Sequence, residues 1–178
     1  MDKISKEKIA IWNTELQSKS LKESIKFVLD TIEGKKVFST SFGIEDQVLS
    51  HVLYPYYNQF SIFTLDTGRQ FEETYEVFQK TTQKYSNYKI ETFFPDEKDV
   101  QEYVFTKGIN GFYDSIENRK DCCFIRKVKP LKRAIKDVNL WITGLRAEQS
   151  VNRESMQFLE WDEDNQLIKF NPLLHFTL

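Results

Sequence analysis

The chain is poor in cysteine, histidine, proline and glycine, with two, two, four and six of them in 178 residues. The two cysteines are adjacent, Cys122 and Cys123. A vicinal disulfide closes almost no loop and strains the backbone, so a structural staple is excluded and reduced thiols in a reducing compartment are expected. Two histidines and one cysteine pair give no mononuclear zinc spacing. There is no apolar stretch of about 18 residues and no charged start followed by an apolar run and a cleavage site, so neither membrane spanning nor secretion is signalled and a cytoplasmic location is expected. A net charge of -2 and a pI near 5.8 provide no general basic field. Nucleic acid and anionic membrane surfaces are thereby excluded as bulk partners, and any anion site must be local. G-x-x-x-x-G-K-[ST], G-x-G-x-x-G and G-x-S-x-G are all missing, as are internal repeats, low-complexity tracts and long linkers.

What is present is a globular composition, 40% hydrophobic, enough to bury one good core. Residues 1–178 read as one domain: a helical N-terminal extension over 1–34, then an α/β core over 35–178. In the extension, Ile9, Trp12, Leu16, Leu21, Ile25, Val28, Leu29 and Ile32 recur at helical spacing, and Gly34 ends the run. From there strands are expected at Lys36–Ser41, Phe60–Leu65 and Tyr88–Phe93, alternating with helices at Ile44–Leu53, Phe71–Tyr85 and Glu97–Lys107. That alternation predicts βαβ units around an open, mostly parallel sheet with helices on both faces. A helix carrying the cysteines runs toward Ile135 with Pro130 as an early kink or break. Asn139–Thr143 is a further apolar run, and Met156–Trp161 with Leu167–Phe170 reads as a β-hairpin. Asn171–Leu178 reads as a loop leading to a Thr N-cap whose helix is absent, as in a chain cut short.

In such sheets ligands sit beyond the carboxyl ends of the strands, so the residues after each apolar run carry the interest. Ser39-Thr40-Ser41-Phe42-Gly43-Ile44-Glu45-Asp46 is either a helix cap with first-turn acids or a cradle for an oxyanion of phosphate or sulfate. Leu65-Asp66-Thr67-Gly68-Arg69 is either a turn or a site of close backbone approach with an acid to accept from hydroxyl or amino groups. Beyond the Trp141 run, Arg146 and Arg153 are either paired with Glu148 and Glu154 or available to clamp an anion bidentately. His51 reads as a core or boundary histidine, and His175 has no assigned role.

The segment Asp121-Cys122-Cys123-Phe124-Ile125-Arg126-Lys127 sets both thiols among cations. With Asp121 as N-cap, Arg126 and Lys127 would each follow a cysteine by four residues, and cations plus a helix N-terminus favour thiolate. The alternative is two small buried hydrophobes.

Taken in order, KVFSTSFGIEDQVLSH, FTLDTGRQFEETYEVF, DCCFIRKVKPLKRAI and WITGLRAEQSVNR resemble the assimilatory adenylylsulfate and phosphoadenylylsulfate reductases. The resemblance implies an adenine nucleotide α-hydrolase-like fold. It implies thiolate attack on the sulfur of adenosine 5′-phosphosulfate (APS), giving an enzyme S-sulfonate and AMP, with sulfite then freed by thioredoxin or glutaredoxin. The Cys-Cys pair followed by Arg-Lys resembles the APS branch, in which Cys122 and Cys123 would be half the ligands of a [4Fe–4S] cluster. The branch that acts on the 3′-phosphorylated nucleotide (PAPS) generally lacks that pair.

By carry-over, Ser39, Ser41, Phe42, Gly43, Glu45 and Asp46 would surround the phosphosulfate, and Leu65, Asp66, Thr67 and Gly68 would line the nucleotide pocket. Lys127, Arg146 and Arg153 would neutralise sulfate and phosphate. The family's Cys-x-x-Cys pair and its nucleophilic cysteine have no match here, so this chain alone is expected to be inactive as a reductase. Alternatives are a non-catalytic nucleotide-binding module completed by another chain, and an ATP-using adenylating or thiolating enzyme, whose Ser-Gly-Gly-x-Asp-Ser loop differs from Ser39–Asp46. Assembly into a homo-oligomer is left open.

Overall fold

The computed structural model describes residues 6–149 and 156–177. Two helices come first, α1 (Lys6–Leu16) and α2 (Leu21–Thr31). The second begins with a reciprocal capping box: Glu23 N–H donates to Ser20 Oγ at 3.4 Å, and Ser20 N–H donates to Glu23 Oε2 at 2.8 Å. Strands and helices then alternate: β1 (Lys36–Ser39), α3 (Ile44–Leu53), β2 (Ser61–Leu65), α4 (Glu72–Lys84), β3 (Ile90–Phe93) and α5 (Glu97–Lys107). Helix α6 (Ile116–Cys123) passes through a π-helical stretch, Phe124–Val128, into α7 (Lys129–Ala134), and β4 (Leu140–Ile142), β5 (Leu159–Asp162) and β6 (Leu167–Phe170) complete the order.

The six strands form one sheet in the order β3-β2-β1-β4-β6-β5. All pairs are parallel except β5 with β6, the expected hairpin, in which Leu159 faces Phe170 and Asp162 faces Leu167. Period-two alternation divides the core. Phe38, Ile62, Leu140, Ile142, Ile168 and Phe170 point to the side packed by Ile9, Ile25, Val28, Leu29, Leu49 and Leu53 from α1, α2 and α3. Val37, Phe63 and Leu167 point to the other side, where Ala134 at the end of α7 and Ile135 just after it cover them. After β1 the chain winds outward to β3, then returns to place β4 on the far side of β1. The switch in strand order therefore lies between β1 and β4, where a crevice opens.

Three local expectations are corrected. Asp121 is not an N-cap: Ser115 accepts from Asn118 N–H at 3.0 Å and starts α6 five residues after Asn110, so the cysteines end that helix rather than begin it. Both cysteines therefore lie at the C-terminal end of the α6 dipole, not at its N-terminus. Pro130 neither kinks nor breaks the run; it stands just after the π-helical stretch, where Lys129 N–H reaches back five residues to Phe124 O. The widened turn accommodates a residue that has no N–H to give. His51 is neither core nor boundary but exposed, because Leu49, Ser50 and Leu53 face inward on α3 instead.

Candidate functional site

A cavity of about 890 Å³ occupies the crevice, within the roughly 300–1,000 Å³ usual for small-molecule sites. Its walls come chiefly from the β1–α3 turn, the loop after β2, the end of α6 with the π-helical stretch, and the β4 strand with its following loop; Phe112, Tyr113, Leu131 of α7 and Lys169 of β6 complete them.

The β1–α3 turn owes its shape to its own polar groups. Ser41 donates both its N–H (2.6 Å) and its hydroxyl (2.8 Å) to Asp46 Oδ2, and Phe42 N–H donates to Thr40 Oγ1 at 3.1 Å. These hydroxyls do not cap α3: its N-cap is Gly43, without a side-chain bond. Phe42 takes a positive φ of 64°, strained for an aromatic residue, and buries its ring on Phe78 at 4.6 Å between centroids. It anchors the turn to α4 rather than facing the cavity. Burial pushes the Asp46 carboxyl above its ordinary range, against the pull of the Ser41 donors.

After β2, Asp66 accepts from Gly68 N–H at 2.8 Å and from the Tyr75 hydroxyl at 2.9 Å, and Gly68 takes a φ of 69° that glycine permits. Asp66 and Gly68 thus shape the loop, while Leu65 and Thr67 line the cavity. The Thr67 carbonyl accepts from Arg126 Nη1 at 2.7 Å. Arg126 is 8% exposed and, among the described residues, forms no ion pair, so a buried guanidinium faces the cavity with one neutral acceptor. The sequence places Arg126 near Cys122 without giving it a role at the site; standing between Ile125 and Lys127, it gives no sign that the π-helical turn directs it inward. Cys122 is half-buried on the wall, and Cys123 is exposed; both line the cavity with Lys127 and Arg119.

On the β4 side, Trp141 Nε1 donates to Ser39 Oγ at 2.8 Å, tying adjacent strands across the floor. Lys169 lies over the Trp141 ring at 5.5 Å and pairs with Asp162 at 2.6 Å. Gly144 is pressed against the β1–α3 turn. Arg146 is 6% exposed and does not line the cavity; its Nε donates to Glu45 Oε1 at 2.9 Å, and Nη1 to Glu148 Oε2 (3.0 Å) and to the Phe176 carbonyl (3.2 Å). Glu45 is held below the usual carboxylate range by its own backbone N–H and then by Arg146. Arg153 lies outside the described residues.

Of the residues assigned by resemblance, Ser39, Ser41, Glu45, Asp46, Leu65, Thr67, Lys127, Cys122 and Cys123 line the cavity, whereas Phe42, Gly43, Asp66, Gly68 and Arg146 support it from behind. Arg69 was not assigned; it donates to the Ile109 carbonyl at 3.0 Å and to Asn110 Oδ1 at 2.8 Å, and lies 4.7 Å over the Phe112 ring. No group of three or more His, Cys, Asp or Glu able to hold a metal occurs among the described residues. Two thiols supply two of the four ligands that a [4Fe–4S] cluster takes, so the residues present do not by themselves fit that group. No helix among the described residues is long and apolar enough to cross a membrane.

The fold matches the crystal structure of phosphoadenylyl-sulfate reductase from Candida auris in its phosphate complex, with a TM-score of 0.82 at 24% identity over 98% of this chain and 82% of that one. In sequence the chain is 42% identical to an adenosine 5′-phosphosulfate reductase of Sinorhizobium fredii strain USDA 257, over 93% of its own length and 65% of the relative's. It is 45% identical to that of Allochromatium vinosum, over 79% of its length and 55% of the relative's. The chain thus spans less than two thirds of these relatives. Its residues 35–178 match the profile of the phosphoadenosine phosphosulfate reductase domain, and the chain belongs to that family.

Proposed function

We infer that the cavity is an adenylylsulfate site and that residues 1–178 are a single reductase domain, a helical extension over 1–34 leading into the nucleotide-binding core. The observation that carries this reading is Arg126, a buried guanidinium facing the crevice at the strand-order switch without an acidic partner among the described residues. An isolated buried cation is costly, and an anionic ligand offsets that cost. Lys127 and Arg119 add positive charge on the same wall. The apolar floor of Phe63, Leu65, Leu131 and Trp141 suits a purine, and the Ser39–Ser41 hydroxyls suit phosphate oxygens.

The reaction is thiolate attack on the sulfur of APS: an S–S bond forms, the bond from sulfur to the phosphate oxygen breaks, and its electron pair leaves with AMP. Fixed cations balance the charge that develops on the phosphosulfate. The attacking thiol is neither Cys122 nor Cys123, which are assigned to metal ligation, and it comes from outside these 178 residues together with the other two cluster ligands. The chain alone therefore binds nucleotide without turnover. Thioredoxin or glutaredoxin is the assigned thiol donor, and a reducing cytoplasm the assigned setting. APS is preferred over PAPS because the Cys-Cys-x-x-Arg-Lys pattern accompanies the APS branch.

The test is calorimetric titration of APS and PAPS into anaerobically prepared chain, with the visible spectrum of the same sample. Micromolar binding of APS, weaker binding of PAPS, no absorbance near about 400 nm and no sulfite release with thioredoxin are expected. Failure to bind either nucleotide overturns the reading of the cavity, and sulfite release overturns the assignment of the cysteines.

A further inference from the structure

Arg146 stands in a motif that suggests an anion ligand, yet its guanidinium is already engaged. Nε donates to Glu45 and Nη1 to Glu148 and the Phe176 carbonyl, in a pocket that leaves the residue 6% exposed. Glu45 Oε1 also accepts from Gln149 Nε2 at 3.0 Å, and Arg146 N–H donates to Gln149 Oε1 at 3.3 Å. Glu45 therefore receives two donors from one short segment, Arg146 to Gln149. A second contact joins the same two loops: Gly144 lies flat on Asp46, with no room for a Cβ.

We propose that Arg146 and Glu45 are positioning residues. Their ion pair, with the Gly144–Asp46 contact, locks the β1–α3 turn to the loop after β4 and so fixes the spacing of two cavity walls. One wall carries Ser39, Thr40 and Ser41, the other Thr143, Gly144 and Leu145. Among the described residues, no element of regular structure connects these loops directly. The register of β1 with β4 ends at Phe38 with Ile142; beyond it Thr40 N–H donates to the Phe63 carbonyl and Thr143 N–H to the Phe170 carbonyl, each 2.9 Å, which ties each wall to its outer neighbour, and side chains join the two walls to each other. The charge that meets the ligand comes from the Arg126 side, and Arg146 acts on the ligand only through Glu45. This inference rests on the cavity being the nucleotide site, but the lock exists in the free protein and is testable there.

The experiment compares Glu45→Gln, Arg146→Met and the double variant in the 178-residue chain, by amide hydrogen exchange without ligand and by APS titration at several salt concentrations. Faster exchange over residues 40–46 and 143–149 together is expected in each single variant, with no further increase in the double. The APS dissociation constant should rise by about tenfold in each, the size of one charge-assisted hydrogen bond, again without multiplication in the double and with the wild-type salt dependence retained. An Arg146→Met loss accompanied by a shallower salt dependence, while Glu45→Gln binds as wild type, makes Arg146 a direct anion ligand and overturns the proposal. Unchanged exchange in both loops does the same. Should the wild type bind no APS, the reading of the cavity falls and the exchange data alone decide the lock. Arg146→Lys is the control for folding: it keeps the charge, loses the forked geometry and should lie between wild type and Arg146→Met.

Discussion

Gly144 and Asp46 meet with no space between them: a Cβ built on Gly144 would overlap Asp46 Oδ1 and stand 3.2 Å from Glu45 Cβ. Gly144→Ala therefore has to push the β1–α3 turn outward or shift the buried carboxylate. An overpacking cost of about 1–3 kcal/mol is expected. Chemical denaturation should show a lower midpoint with an unchanged slope, and a fully stable alanine variant would mean that the two loops are not in contact.

The two acids of the turn should respond to pH in opposite directions. The Glu45 carboxyl is depressed, so its contribution to stability is complete above the ordinary carboxylate range and is lost as pH falls through its folded value. Asp46 is raised by burial, so the folded state takes up its proton more readily, and protonating it relieves a cost as pH falls. Glu45→Gln should lose stability at neutral pH and converge on wild type in acid. Asp46→Asn should show no such acid-side relief. Urea unfolding of the three proteins between pH 3 and 7 reads both signs.

The thiols differ in exposure, Cys123 open and Cys122 half-buried against the cavity. Iodoacetamide should modify Cys123 first. APS should slow alkylation at Cys122 more than at Cys123, as followed by mass spectrometry of the digested chain. Equal protection of the two would place the ligand elsewhere.

Trp141 forms part of the cavity floor and donates its indole N–H to Ser39. Nucleotide binding should change the tryptophan emission, and Trp141→Phe should abolish that change although Trp12 and Trp161 remain. A response that survives the substitution would come from another surface.

The helices and strands up to Lys107 were legible because their apolar residues repeat at unmistakable intervals: α3 and α5 were expected at Ile44–Leu53 and Glu97–Lys107, and both fall there. The β5–β6 hairpin was equally plain, with a turn-forming Asp-Glu-Asp-Asn between two apolar runs. The cysteine helix was harder. Its first turns, Ile116 to Lys120, carry almost no apolar pattern, so Asp121 looked like the start when Ser115 is. Helical spacing also assumes an i to i+4 rhythm, which the π-helical stretch breaks just where Arg126 turns inward. At the site, the sequence could name the loops but not which side of each faces the crevice. Phe42 and Arg146 stand in motifs that suggest ligand contact, and tertiary packing takes one onto Phe78 and the other onto Glu45.

The π-helical stretch also changes what a small deletion means. In an α-helix each residue advances the chain by about 100° around the axis. The widened turn holds one residue more than an α-helical turn, so removing one residue between Phe124 and Val128 would restore α-helical rhythm and leave the cysteine-bearing and Pro130-bearing halves facing nearly as before. The loss would fall on the bulge itself: Arg126 would no longer be turned toward the Thr67 carbonyl, and Pro130 would stand in an ordinary turn whose N–H it cannot supply. In this segment the count of residues is itself part of the binding geometry.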